Sequence, residues 1–324
     1  MQTRMVVIFV SGLIAVSAGA CSEQTIPAPD RVDPRASSWS TKADAPTGRT
    51  EVTATRSGDL VYVAGGFEPD GNATTARVEV YSLDADTWVS GPDLPVAVNH
   101  AMSASAGGRT FVVGGYRGPG LTRPTRKAFV LEGAAWIELP RMPAPRAAAA
   151  ATSLGGKVYV VGGVTGNGLA TRTFVYDPRT ERWGRRPGLR VPRHHLGTTT
   201  YSGRIYAVAG RMAGGGNLDA FERYNPRTRR WTTLTPIPTA RSGNGAAATS
   251  DGSIIAIGGE GPGGTIGEVE AWSVATREWR VFPDMPTPRH GLGVVARGAF
   301  VWALVGGPEP GFAYSTANEM LTVE

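Results

Sequence analysis

One short phrase recurs six times along this chain of 324 residues: "LVYVAGGFEP" (60–69), "RTFVVGGYRG" (109–118), "KVYVVGGVTG" (157–166), "RIYAVAGRMA" (204–213), "SIIAIGGEGP" (253–262) and "FVWALVGGPE" (300–309). The second glycines, Gly66, Gly115, Gly163, Gly210, Gly259 and Gly307, follow one another at 49, 48, 47, 49 and 48 residues. Only the fourth copy departs, with Ala209 before Gly210. Six tryptophans, Trp39, Trp88, Trp136, Trp183, Trp231 and Trp279, keep nearly the same beat, at 49, 48, 47, 48 and 48. Seven residues before five of them stands an aromatic: Tyr81, Phe129, Tyr176, Tyr224 and Trp272. Three features in one phase, with a period near fifty, mean one supersecondary unit repeated and stacked on its neighbours.

The unit reads as β-structure. "VYVVGG" is a short apolar run suited to a strand buried on both faces. "TFVYDPRTERW" and "ERYNPRTRRW" read as strand, turn and strand. The 44 glycines and 24 prolines suit many short strands and turns, and no long amphipathic helical pattern interrupts them.

The diglycine closing a strand, with Tyr and Trp at fixed distances after it, resembles the kelch-repeat family over about residues 39–324. That resemblance implies an all-β, six-bladed β-propeller with four-stranded blades around a channel. Trp39 precedes the first diglycine and no tryptophan follows the last, where the chain runs out in "NEMLTVE" with Leu321 in the Tyr place. The outer strand missing from the last blade is therefore expected from "SSWST" (37–41), which would seal the ring and leave no free edge.

The first twenty residues have another character: Arg4, an apolar run, then small residues up to Cys21. This is the layout of an export signal. "AGAC" resembles the lipobox of bacterial lipoproteins, although Ala18 stands where that family prefers Leu. The expected organisation is a signal over 1–20, a lipid-anchored polar tether over 21–38 starting at an acylated Cys21, and the propeller over 39–324. The resemblance implies an exported, envelope-bound protein, at the outer membrane rather than the inner because Ser22 is not Asp. Cys21 is the only cysteine, so an intramolecular disulfide is impossible. The net charge of +6 falls to +5 once the signal with Arg4 is removed, and no basic run carries interleaved aromatics; nucleic acid is not an expected partner.

A second phrase leads into each inner strand: "PTGRT" (46–50), "PAPRA" (143–147), "VPRHH" (191–195), "PTARS" and "PTPRH" (286–290). It places Arg49, Arg146, Arg193, Arg241 and Arg289 once per blade, with Val98 or Asn99 in the second blade's slot. Two readings stand. The guanidiniums encircle one mouth of the channel and bind an anion in bidentate fashion, or each caps backbone carbonyls and recurs because the repeat does. The loops after the diglycines differ from copy to copy, as loops carrying specificity do. The second loop is basic, with Arg117, Arg123, Arg126 and Lys127, while Arg211 and Glu260 directly follow their glycines.

"GGEGPGG" resembles the loop that carries the catalytic Glu of the periplasmic sialic-acid mutarotases, which are six-bladed kelch proteins. The arginine that follows on that family's loop is missing here, where the stretch reads "TIGE"; Arg241 or Arg289 would have to replace it. The four histidines, His100, His194, His195 and His290, come from the second, fourth and sixth blades. Blades so far apart argue against a shared metal. Galactose-oxidase chemistry, known in another kelch propeller, needs a cysteine crosslink that Cys21 cannot supply, and neither a nucleophile elbow nor a phosphate loop occurs. No cofactor is expected.

The expected function is therefore a monomeric binding scaffold. Its ligand would be a protein or anionic glycan at the mouth, held by Arg49, Arg146, Arg193, Arg211, Arg241, Arg289 and Glu260. The alternative is a mutarotase-like carbohydrate enzyme built on Glu260.

Overall fold

The computed structural model describes residues 30–31 and 37–323. Six four-stranded antiparallel sheets surround an axis. The first blade runs outward through Thr53–Ser57, Leu60–Ala64, Val78–Ser82 and Thr87–Ser90. The next four repeat this order, from inner strands Met102–Ala106, Ala150–Leu154, Gly197–Tyr201 and Gly245–Ala248. The sixth takes Gly293–Arg297, Phe300–Leu304 and Asn318–Thr322 from the C-terminus and Ser38–Thr41 from the N-terminal side.

The closure is chemical as well as topological. Trp39 sits opposite Leu321 in the register in which Trp88 opposes Tyr81 and Trp183 opposes Tyr176. Every phased tryptophan donates its indole N–H to a carbonyl of the preceding blade: Trp88 to Ala43, Trp136 to Pro92, Trp183 to Pro140, Trp231 to Pro187 and Trp279 to Thr235. Trp39 makes the sixth such bond, to Pro283 at 2.8 Å. An indole is apolar enough to wedge between twisted sheets and still satisfies its single donor. Within the stretch read as a tether, Asp30–Arg31 adds a short parallel strand outside Trp279–Phe282 of the fifth blade. The signal over 1–20 and Cys21 lie outside the described residues.

Two residues stand in other places than the repeat count gave them. Gly306, not Gly307, is the sixth second glycine: its N–H reaches Arg49 O as Gly66 N–H reaches Val98 O. Val305 holds the first position at φ 50°, as Ala209 does at φ 55°. The phase slipped because "VGG" offers two adjacent glycines. The hairpin of the second blade is two residues shorter, so Leu131, not Phe129, opposes Trp136. Phe129 instead occupies the place of Glu79.

At Gly65 and Gly114 the first glycine is needed for space as well as for its positive φ, whereas the fourth and sixth blades admit Ala209 and Val305 there. A Cβ at Gly65 would stand 2.3 Å from Val98 O, and one at Gly114 the same distance from Arg146 O. Each blade thus presses its diglycine against the backbone of the next blade's leading phrase.

Candidate functional site

The five repeated arginines are buried, all at 0–1% exposure, and turn their guanidiniums into their own blades. They do not line the mouth as a ligand-binding crown. Arg49 donates to the carbonyls of Val63, Gly65 and Arg77 and pairs with Glu79 at 2.9 Å. Arg193 does the same with Ala207, Ala209 and Glu222, and Arg241 with Gly258, Glu268 and Glu270. Arg289 donates to Ala303 O and pairs with Glu319. The reason is local: the strand leaves its ladder at the diglycine, and its last carbonyls would be buried without donors. A guanidinium with five N–H groups supplies several at once.

The exceptions show the same logic. Arg146 has Phe174 where the others have glutamate, and its guanidinium lies 4.3 Å over the ring. Burial without a carboxylate pushes Arg146 down to about 10. In the second blade both charges are gone, with Val98 and Phe129 packed in one apolar cluster. A buried ion pair and an apolar pair thus serve as alternatives in one scaffold.

The mouth is built two residues further on. Glu51, His100, Ala148, His195, Gly243 and Gly291 occupy one position of the repeat, and all six have positive φ, from 49° to 67°. Their backbones form a ring around the axis. His100 N–H donates to Glu51 O, Ala148 to His100, His195 to Ala148, Gly243 to His195 and Gly291 to Gly243, at 2.8–3.0 Å, and Val52 N–H returns to Gly291 O. Three of the six side chains are small or absent, which leaves room for the other three to converge. The imidazole centroids of His100 and His195 are 4.9 Å apart, and Glu51, His100 and His195 each bring a ligand atom within 4.8 Å of the others.

The histidines of the second and fourth blades therefore do meet, against the expectation from blade separation, and His290 of the sixth reaches them through Glu51. The signal lay in the spacings 49, 48, 47 and 48 that separate these positions from Glu51 to Gly243, which match the tryptophan beat. Residues of equal phase share one height on the axis, where opposite blades are close. The acidic member, Glu51, was missed because nothing local marks it.

His290 brings Nδ1 to 3.4 Å from Glu51 Oε1, and His100 brings Nε2 to 3.1 Å from Glu51 Oε2. Arg211 and Glu260 complete the cluster, paired at 2.6 Å, and the second Arg211 amino group donates to His195 Nε2 at 3.0 Å. His194 and His195 touch through their Nδ1 atoms. Burial is the largest influence on each imidazole and holds His100 and His195 below the ordinary histidine range; it pushes His194 down to about 4, helped by Arg211. For Glu51 burial alone would raise the carboxyl, but His100, His290 and His195 outweigh it and hold it far below the usual range. For His290 burial is likewise outweighed, by the hydrogen bond and charge of Glu51, and the net direction is upward. Beneath the ring lies a cavity of about 130 Å³, bounded by Glu51, His100, His195 and Asn244. A second, of about 230 Å³, continues down the channel between hydroxyl and alanine side chains. Chemically the cluster offers one carboxylate, imidazoles as proton carriers or metal ligands, and one guanidinium already paired with a carboxylate.

Comparisons agree with this architecture. A kelch-repeats domain of the KLHDC2/KLHL20/DRC7 type matches residues 89–259, and the kelch motif matches 48–95 and 241–286. The chain is 32% identical over 237 residues to the Kelch-like protein terF of Aspergillus terreus, covering 67% of this chain and 50% of that protein. It is 48% identical over 159 residues to human Kelch-like protein 35, covering 49% and 26%. The chain thus spans half or less of the length of these curated relatives. The solved structure of YjhT superposes with a TM-score of 0.75 at 17% identity, over 86% of this chain and 96% of that one, a likeness that speaks for the fold alone. With its six blades, its diglycine strand ends and its phased tryptophans, the chain belongs to the kelch-repeat family.

Proposed function

We propose that this protein is a partner-binding module of the bacterial cell envelope, held there by lipid on Cys21, which grips a protein through the loop face around Arg211 and Glu260. The observation that carries the reading is that three of the seven exposed large apolar side chains among the described residues share the diglycine loops. Leu121, Met212 and Phe312 are 48%, 47% and 57% exposed, and all three sit on diglycine loops, in the second, fourth and sixth blades. Apolar side chains around a polar centre are the composition of a protein-binding face. The basic second loop, with Arg117, Arg123 and Arg126, adds a preference for acidic partners. The repeated arginines act indirectly, by fixing the loop bases.

A photo-crosslinking residue at Met212 or Phe312 should capture one defined protein in intact cells. The same probe at Phe300, at the opposite end of its blade, should not. Equal capture from both faces, or adducts with glycan alone, would contradict the reading. Cys21→Ser should move the chain from the membrane to the soluble fraction; unchanged fractionation would contradict the anchor.

One observation favours a second reading. Glu260 stands beside a guanidinium that also touches an imidazole, a set able to pass protons at a sugar ring. Anomer exchange of acidic sugars followed by NMR decides it. Turnover abolished by Glu260→Gln supports an enzyme, and exchange no faster than in buffer ends that reading.

A further inference from the structure

We propose that Glu51, His100 and His195, with His290 positioning the carboxylate, bind one divalent cation of the zinc class on the propeller axis. The inference rests on where the hydrogens must be. Thr74 Oγ1 donates to Gly118 O, so it accepts from Asn99 Nδ2 at 2.8 Å. That contact turns Asn99 Oδ1 toward His100 Nδ1, 2.7 Å away, and Nδ1 must carry the ring hydrogen. His100 Nε2 therefore presents a lone pair, and it faces Glu51 Oε2. On the sixth blade, His290 Nε2 lies 2.9 Å from Glu309 O and donates to it. Its Nδ1 faces Glu51 Oε1 at 3.4 Å and, with His290 only 2% exposed, holds that carboxylate toward the axis.

Glu51, His100 and His195 each bring a ligand atom within 4.8 Å of the others, with the His100 Nε2 lone pair facing the carboxylate. A divalent cation draws on all three donors together. Donors bound at about 2.0–2.1 Å in tetrahedral array stand roughly 3.3–3.4 Å apart; His100 Nε2 and Glu51 Oε2 stand 3.1 Å apart, and His195 brings its donor within 4.8 Å. Imidazole with carboxylate suits zinc, cobalt or nickel better than calcium or magnesium. The Asn99 amide that holds the far ring nitrogen of His100 is a usual outer partner of metal-bound histidine. His195 binds by exchanging its contact with Arg211 for the cation, leaving Arg211 on Glu260. Asn99 and Thr74 are positioning residues here.

The test uses the full chain stripped with a chelator, then titrated with Zn²⁺ against a chromogenic chelator and with Co²⁺ by visible absorption. One equivalent should bind. Glu51→Gln and His100→Ala should each weaken binding at least about 100-fold, and Asn99→Ala by about 10–100-fold. Cys21→Ser should change nothing. Circular dichroism separates lost binding from lost fold. X-ray absorption of the wild-type chain with one equivalent of Zn²⁺ does not depend on any variant: it should show nitrogen and oxygen ligands, at least two of them imidazole, and no sulfur. Failure of the wild type to bind stoichiometrically, a zinc shell without two imidazoles, or full affinity in folded Glu51→Gln would overturn the proposal.

Discussion

Two positions of one phrase, two residues apart, carry most of the buried charge of this molecule, and they behave differently. At the first, Arg49 and its four counterparts turn into their own blades and are consumed there by carbonyls and, in all but Arg146, by a glutamate. At the second, Glu51, His100 and His195 turn to the axis, where they meet one another across blades. The backbone makes the difference: positive φ at the second position swings its side chain out of the blade and into the channel. A charge repeated in nearly every blade is scaffold, whereas a position that varies among Glu, His, Ala and Gly but sits at one height is where blades meet and a site can form.

The largest expected effect breaks the scaffold half of the comparison. Arg193→Ala should cost about 3–5 kcal/mol in chemical denaturation, because it strands the carboxylate of Glu222 in the interior. Restoring balance sharpens the point: Arg193→Val with Glu222→Phe copies the second blade's Val98 and Phe129 and should recover most of that loss. What remains lost should come from the Arg190 and Val191 N–H groups that Glu222 caps. Next comes Trp39→Ala, expected to cost about 2–4 kcal/mol through lost packing and the lost bond to Pro283. It should match Trp231→Ala, since the closing tryptophan does the same work as an internal one; a negligible cost would mean the ring is not held there.

Acid probes the axial half. His100, His194 and His195 resist protonation when folded but not when unfolded, so they remove stability as pH falls below about 6.5, His194 down to about 4. His290 acts oppositely, adding stability below 6.5 that fades as pH rises through its higher folded value. Glu51 adds stability above its unfolded value near 4.5, which is lost only as pH drops toward its depressed folded value. The histidines therefore sum to a loss of stability on acidification. His195→Ala, which places at this position the residue that Ala148 already places there, should flatten that slope. The smallest effect belongs to the surface: Glu132→Gln, opposite Arg109 with both side chains about half exposed, should move stability by less than about 0.5 kcal/mol.

The sequence made the wheel legible because packing residues repeat with the fold: the tryptophan beat counts six blades, and Trp39 before the first diglycine announces the closure. It read less well where local chemistry broke the beat, at Gly307 and at the shortened hairpin after Phe129. The arginines were visible as a set, but their direction was not, because orphaned carbonyls at a diglycine appear only once the strand has left its ladder. The axial cluster was the hardest to see. Its acid, Glu51, is unremarkable singly, and only the common phase of Glu51, His100 and His195, together with the small residues at Ala148, Gly243 and Gly291, brings them together.

The most direct test of this division sets the unfolding midpoint of Arg241→Met beside that of Arg211→Met. Arg241 is buried within its blade, on Glu270 and the carbonyls of Thr239, Gly258 and Glu268, while Arg211 lies at the mouth with its side chain 24% exposed. The account predicts a loss of about 3–5 kcal/mol for Arg241→Met and less than about 1 kcal/mol for Arg211→Met. Equal losses, or the larger loss at Arg211, would contradict it.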